Sequence, residues 1–194
     1  MATRTRSRSK ESSWNGNSGA IVGAAIAGAA VGLAANVGRK LFVQFTSAGA
    51  GDWFDALKAE HDAARALFDK LEATSDEQTF MRAHLLMKLK YALTRHALEE
   101  ENVIYPALRE ADERQEADHL TSEHGYIKTY LYELEGLAKD SPAWRGRLGE
   151  FRKMIEDHMR EEEETIFPTL RAKLSEEKNA GITTLMNKEG FRAA

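Results

Sequence analysis

Four histidines and two glutamates recur in this chain at spacings that suit metal coordination: His61, the pair His96 and Glu100, His124, and the pair His158 and Glu162. A glutamate four residues after a histidine lies about 40° further around a helix and about 6 Å along it, so both side chains can converge on one ion. Imidazole and carboxylate together suit iron, zinc, copper or manganese. Six such donors are too many for one tetrahedral zinc but can serve two ions that share carboxylates. The chain has no cysteine, which removes disulfides, thiolate metal sites and cysteine nucleophiles from consideration.

These donors must be carried by helices. The three prolines fall at positions 106, 142 and 168, leaving long stretches free for helix, and each is expected to mark a helix boundary. An internal repeat organises the body: LKAEHDAARALFDKLE (57–72) aligns with LTSEHGYIKTYLYELE (120–135), and HALEEENVIYPALRE (96–110) with HMREEEETIFPTLRA (158–172). Two helical pairs follow, giving four helices at roughly 53–72, 77–110, 113–139 and 143–174, with connections short enough to force antiparallel neighbours.

The seam of each helix can be read from residues spaced alternately three and four apart. It runs Phe54, Leu57, His61, Ala64, Phe68, Leu71 in the first and Leu86, Leu89, Leu93, His96, Glu100, Val103, Ala107 in the second. The third gives Ala117, Leu120, His124, Ile127, Leu131, Leu134, Ala138, and the fourth Leu148, Phe151, Ile155, His158, Glu162, then Thr165 and Ile166. A lone core histidine is ordinarily just hydrogen-bonded, and runs such as EEE (99–101) and EEEE (161–164) are ordinarily solvated faces. Here the seam passes through one glutamate of each run and through a histidine one turn before it, in both repeats. Buried carboxylates lose several kcal/mol of solvation and repel one another, a cost that cations relieve. His84 and His119 fall off the seam and are read as surface residues.

The elements Glu60-His61, His96 to Pro106 (HxxxEExxxxP), Glu123-His124 and His158 to Pro168 (HxxxEExxxxP) resemble the hemerythrin-like HHE cation-binding domains over nearly all of residues 53–174. The resemblance implies an all-α, up-down-up-down antiparallel four-helix bundle. It also implies a non-haem centre of two iron ions with an oxo or hydroxo bridge, in which His61, His96, Glu100, His124, His158 and Glu162 are the metal ligands and Glu100 and Glu162 bridge. Oxygen-carrying hemerythrins have a further histidine one turn before the third-helix ligand, where this chain has Leu120. The resemblance therefore implies one nitrogen ligand fewer, more room for water or peroxide, and a pattern nearer to bacterial and regulatory HHE proteins than to oxygen carriers.

Three functions follow as expectations. The first is a di-iron protein that binds or senses O2, or responds to nitric oxide, peroxide or iron level. The alternative is a catalase- or peroxidase-like enzyme acting on hydrogen peroxide through the position left open at Leu120. Ferritin-like iron oxidation ranks below both, since its Glu-xx-His form occurs only at Glu116 to His119, off the seam.

Outside the body, residues 1–18 are basic and Ser-rich, 19–43 contain the Gly/Ala-rich apolar run GAIVGAAIAGAAVGLAANVG, 44–51 read as a linker, 52–174 as the bundle, and 175–194 as a tail or short capping helix. The apolar run is long enough for a bilayer and carries small-xxx-small spacings, but its hydrophobicity is weak. It reads as a membrane-associating helix or as a self-associating arm that makes a homo-oligomer. Cytoplasmic placement, with membrane association through 19–38, is expected. Residues 1–51 carry +5 and the remaining 143 carry −9, which argues against nucleic-acid binding by the body. Trp53, Tyr105, Tyr126, Tyr130, Tyr132 and Phe167 could line a pocket near the metals, although aromatic residues at helical spacing are more often ordinary core.

Overall fold

The computed structural model describes residues 51–193; the expectations for residues 1–50 lie outside the described residues. Helix α1 spans Trp53–Glu72 and α2 Thr79–Glu99; a π-helical turn, Glu100–Ile104, joins α2 to α3 at Tyr105–Glu110. Helix α4 spans Arg114–Gly136 and α5 Pro142–Glu161; a second π-helical turn, Glu162–Ile166, leads into α6 at Phe167–Lys173, and α7 spans Glu176–Ala193. No strand occurs among the described residues.

Local signals start these helices. The Asp52 carboxylate accepts from the backbone N–H groups of Phe54 and Asp55 at 3.1 and 3.3 Å. Ser141 Oγ accepts from Trp144 N at 3.1 Å, with Pro142 in the first turn where its missing N–H costs nothing. At the other end of α1, the wholly buried Arg82 donates to Thr74 Oγ1, Thr74 O and Asp76 and also contacts the Lys139 carbonyl. One guanidinium thereby ties the α1–α2 and α4–α5 connections together.

Neighbouring helices pair in opposite senses. Thr74 meets Arg82 and His61 meets His96 across α1 and α2. Glu133 meets Arg147 and Glu123 meets His158 across α4 and α5. The buried apolar residues form two clusters. One contains Phe68, Leu89, Leu131, Trp144 and Phe151; the other contains Trp53, Leu57, Tyr105, Leu120 and Phe167. Each long helix passes from one cluster to the other through the histidines and glutamates, so these six residues form a polar layer between two apolar ones.

Several seam assignments are corrected. Trp53, not Phe54, is fully buried at the start of α1. Beyond Glu100 the buried positions are Val103, Ile104, Tyr105 and Leu108, with Ala107 only half-buried; beyond Glu162 they are Ile166, Phe167 and Leu170, with Thr165 exposed. The π turns cause both slips, since each adds a residue to one turn and delays the apolar face by that amount. Ala138 is exposed because α4 stops at Gly136.

The C-terminal stretch forms an 18-residue helix rather than a short cap. Ile182 and Met186 are buried in it, while Leu185 and Phe191 stay exposed. Asn179 Oδ1 accepts from the Trp53 indole at 2.9 Å, and Thr183 Oγ1 accepts from Trp53 N at 3.1 Å. Among the described residues no helix is long and apolar enough to cross a membrane; the run 19–38 lies outside them.

Candidate metal centre

Pro106 and Pro168 each follow a seam glutamate by six residues and remove the N–H that would close the α-helical turn four residues back. The chain answers with a π turn in both repeats, in which Tyr105 N–H bonds Glu100 O and Phe167 N–H bonds Glu162 O. The two glutamates therefore open π turns, a distortion that often accompanies functional sites.

All six residues singled out by spacing meet in the polar layer, none more than 5% exposed. His61 Nε2 lies 2.9 Å from His96 Nε2 and 3.4 Å from Glu162 Oε2. Glu100 spans two histidines, its Oε1 3.2 Å from His96 Nε2 and its Oε2 3.2 Å from His124 Nε2. His158 Nε2 lies 3.5 Å from Glu162 Oε2. Two overlapping sets result: His61, His96, Glu100 and Glu162 form one, and Glu100, His124, His158 and Glu162 the other. Within each set the donor atoms lie inside 4.8 Å of one another.

A second layer orients every imidazole. Glu60 faces His96 Nδ1 at 3.0 Å, Glu123 faces His158 Nδ1 at 2.7 Å, Glu101 faces His124 Nδ1 at 2.9 Å and Glu163 faces His61 Nδ1 at 2.7 Å. Each of these carboxylates is the chain neighbour of a residue of the inner layer, and the pattern repeats with the internal duplication. A carboxylate at Nδ1 selects the Nδ1–H tautomer and leaves the Nε2 lone pair pointing inward. The four inward Nε2 atoms then converge with two carboxylates, each able to offer a lone pair once any proton on it is released. In the sequence Glu101 and Glu163 fall in acidic runs and Glu60 and Glu123 stand beside inner histidines, none of them with an expected role; the recurrence of a Glu beside each inner residue was the available signal.

The electrostatics are unresolved from within the protein. Burial lowers the His61 imidazole to about 4, helped by neighbouring His96. Burial also opposes a charge on His96, but Glu100 and Glu60 outweigh it and hold that imidazole well above its ordinary range. Burial would lift the Glu100 carboxyl, yet His96 and His124 hold it well below. At Glu162 burial together with Glu100 outweighs the pull of His96 and pushes the carboxyl well above the usual range. Glu100 Oε1, His158 Nε2 and both Glu162 oxygens are buried without a hydrogen-bond partner among the described residues. Orphaned buried polar atoms are rare because each costs about 1–3 kcal/mol. Four in one layer, all lone-pair donors, are chemically suited to cations.

Tyr105, which the expected seam did not include, also reaches this layer. Its hydroxyl donates to Glu100 Oε2 at 3.5 Å and lies 2.8 Å from His124 Nε2, and burial pushes the phenol pKa up so that it keeps its proton. The repeat places Phe167 at the equivalent position, so Tyr105 gives the His124 side a hydroxyl that the His61 side lacks. Of the other aromatics, Trp53 and Phe167 are apolar core, Tyr130 stacks on Phe151, and Tyr126 and Tyr132 are exposed. His84 and His119 are exposed, as expected.

Comparison with known proteins agrees with this geometry. The hemerythrin HHE cation binding domain family model matches residues 53–170. The chain is 27% identical to a DNA nickase of Nostoc sp. over 64% of its own length and 35% of that protein's. It is 27% identical to an uncharacterized hemerythrin-like protein of Schizosaccharomyces pombe, over 64% of this chain and 62% of that one. The chain thus spans about a third and about three-fifths of these relatives. A crystal structure of a hemerythrin HHE cation binding domain-containing protein from Mycobacterium kansasii superposes with a TM-score of 0.65 at 21% identity, covering 73% of this chain and 86% of that one.

Proposed function

The chain belongs to the hemerythrin HHE cation-binding family, and on that premise we propose that residues 53–173 form an up-down-up-down bundle holding two iron ions. His61 and His96 serve one ion, His124 and His158 the other, and Glu100 and Glu162 bridge them. The observation that carries this reading is the pair of overlapping donor sets sharing those two carboxylates, with four orphaned lone-pair atoms between them. When bound, such an ion pair supplies reversible one-electron chemistry toward a small ligand.

The protein's own groups determine what that ligand meets. Glu60, Glu101, Glu123 and Glu163 hold the imidazoles in one tautomer and fix their direction. The apolar clusters on either side exclude bulk water. Tyr105 holds a proton within reach of the His124 side, and Leu120 presents no nitrogen there. A site with one hydrogen-bond donor and one uncommitted side suits uptake or sensing of a diatomic such as O2 or nitric oxide. DNA nicking is a property of the larger Nostoc relative and is not carried to this chain, whose body is strongly acidic.

The test is spectroscopic. Iron-loaded, reduced protein exposed to O2 is expected to change its visible spectrum, and removing the gas should reverse the change; no change with any diatomic would refute the reading. The proton on Tyr105 also favours a second reading, turnover of hydrogen peroxide. Evolution of O2 from peroxide by the loaded protein, lost in His96→Ala, would establish that activity, and equal rates in both would exclude it.

A further inference from the structure

The internal duplication makes two faces of the bundle equivalent, and they are not built alike. Between α1 and α5, Phe68 and Met159 are buried. Above them Arg65 is clamped, donating to Glu163 at 3.0 Å, Glu156 at 3.1 Å and Asp62 at 2.9 Å. That face is closed over His61. Between α2 and α4 the duplicated positions hold smaller or looser residues: Leu131 for Phe68, Ala97 for Met159 and Lys128 for Arg65. Lys128 bonds Glu101 at 2.9 Å, but the counterparts of Glu156 and Asp62 are Thr94 and Gly125, so among the described residues no second carboxylate pairs with it. Lys128 is mostly exposed, whereas Arg65 is not.

The difference leaves a cleft of about 70 Å³, several times the ~10–15 Å³ that a single water needs. Leu93, Ala97, Leu98, Ile127 and Leu131 line it together with Thr94, Glu101 and Lys128, and the buried His124 also borders it. Its surface is overwhelmingly apolar, which disfavours hydrated ions and favours small apolar molecules.

We infer that this α2–α4 cleft is the route by which an apolar diatomic gas reaches the His124 side of the centre, with Lys128 as a loosely held cover. The inference rests on the metal and small-ligand reading above and narrows it: a gas, rather than a hydrated oxidant, is what the path admits. Ala97→Met restores the residue that closes the opposite face, so it changes the path while leaving every donor in place.

Two measurements test it. In iron-loaded, reduced protein, association of nitric oxide followed by stopped-flow absorbance should slow at least tenfold in Ala97→Met. Dissociation should slow equally, leaving the Kd and the metal content unchanged. Lys128→Ala should bind at least as fast as the parent. Crystals of the full chain under xenon pressure should hold xenon between Ala97 and Leu131, and Ala97→Met crystals should not. An association rate within twofold of the parent, or a parent cleft without xenon, overturns the route. Should loaded protein bind no diatomic while xenon still fills the cleft, the gas-binding reading fails and the route with it as a functional path. Failure to take up iron at all sinks the metal reading instead.

Discussion

Glu162 offers a perturbation in which stability and metal binding should move in opposite directions. Its side chain is wholly inaccessible, neither oxygen has a hydrogen-bond partner among the described residues, and the nearest imidazole nitrogens stand at 3.4 and 3.5 Å, long for a charge-assisted bond. In metal-free protein this carboxyl carries the cost of burial together with repulsion from Glu100. Methionine matches its length, adapts to irregular space and has no polar oxygen to leave unsatisfied. An unsatisfied buried polar atom costs about 1–3 kcal/mol, and exchanging buried charged groups for apolar ones often stabilises by a similar amount. Metal-free Glu162→Met should therefore be more stable than the metal-free parent by about 2 kcal/mol. For a chain of this size that corresponds to roughly 4–8 °C in Tm. Added metal should stabilise the parent, by about 2.7 kcal/mol at a hundredfold excess over Kd, and should leave the variant's midpoint almost unmoved. Thermal unfolding followed by helical circular dichroism, with and without metal, reads both effects. A metal-free variant less stable than its parent, or one that metal stabilises as strongly, would refute the reasoning.

Further outcomes follow from the same geometry. Glu123→Ala frees His158 Nδ1 and should weaken metal binding about 10–100-fold while helix content is unchanged, measured by competition with a chromophoric chelator. Tyr105→Phe, which copies Phe167 of the other repeat, should cost about 1 kcal/mol of stability, keep the metal and shift the visible spectrum; an unaltered spectrum would show that the hydroxyl does not face the ions. Burial and neighbouring Glu60 push the Glu99 carboxyl up to about 8. A raised acid pKa means that the folded state keeps a proton the unfolded chain releases, so this contribution to stability is lost as pH rises from about 4.5 through about 8. Glu99→Gln should therefore narrow the gap in Tm between pH 5.5 and pH 8.5.

The inner layer was legible in the sequence because it obeys the helical period. His61, His96, Glu100, His124, His158 and Glu162 fall on the same stripes as Leu57, Leu93, Leu120 and Ile155, and duplication supplied each pattern twice. The outer carboxylates were not, since a residue next to a seam position points about a quarter-turn away and its partner sits on another helix. The π turns defeated the period itself, so that Leu108 is buried where Ala107 was expected, and of the expected Thr165 and Ile166 only Ile166 is buried. The same slip left Tyr105 off the expected seam. Arg82 was unreadable for a different reason: a buried guanidinium is justified only by the loop carbonyls and the Thr74 hydroxyl it gathers from distant positions. The final stretch, expected as a tail or short capping helix, is helical over Glu176–Ala193, and its place is set by Trp53 meeting Asn179 and Thr183.

The central claim is that six buried side chains hold two ions, and metal stoichiometry tests it most directly. Purified protein reconstituted with ferrous iron, desalted and analysed by inductively coupled plasma mass spectrometry should carry two iron atoms per chain, falling below one when His61 and His124 are both replaced by alanine. A parent protein that retains no metal, or a double variant that retains as much as its parent, would contradict it.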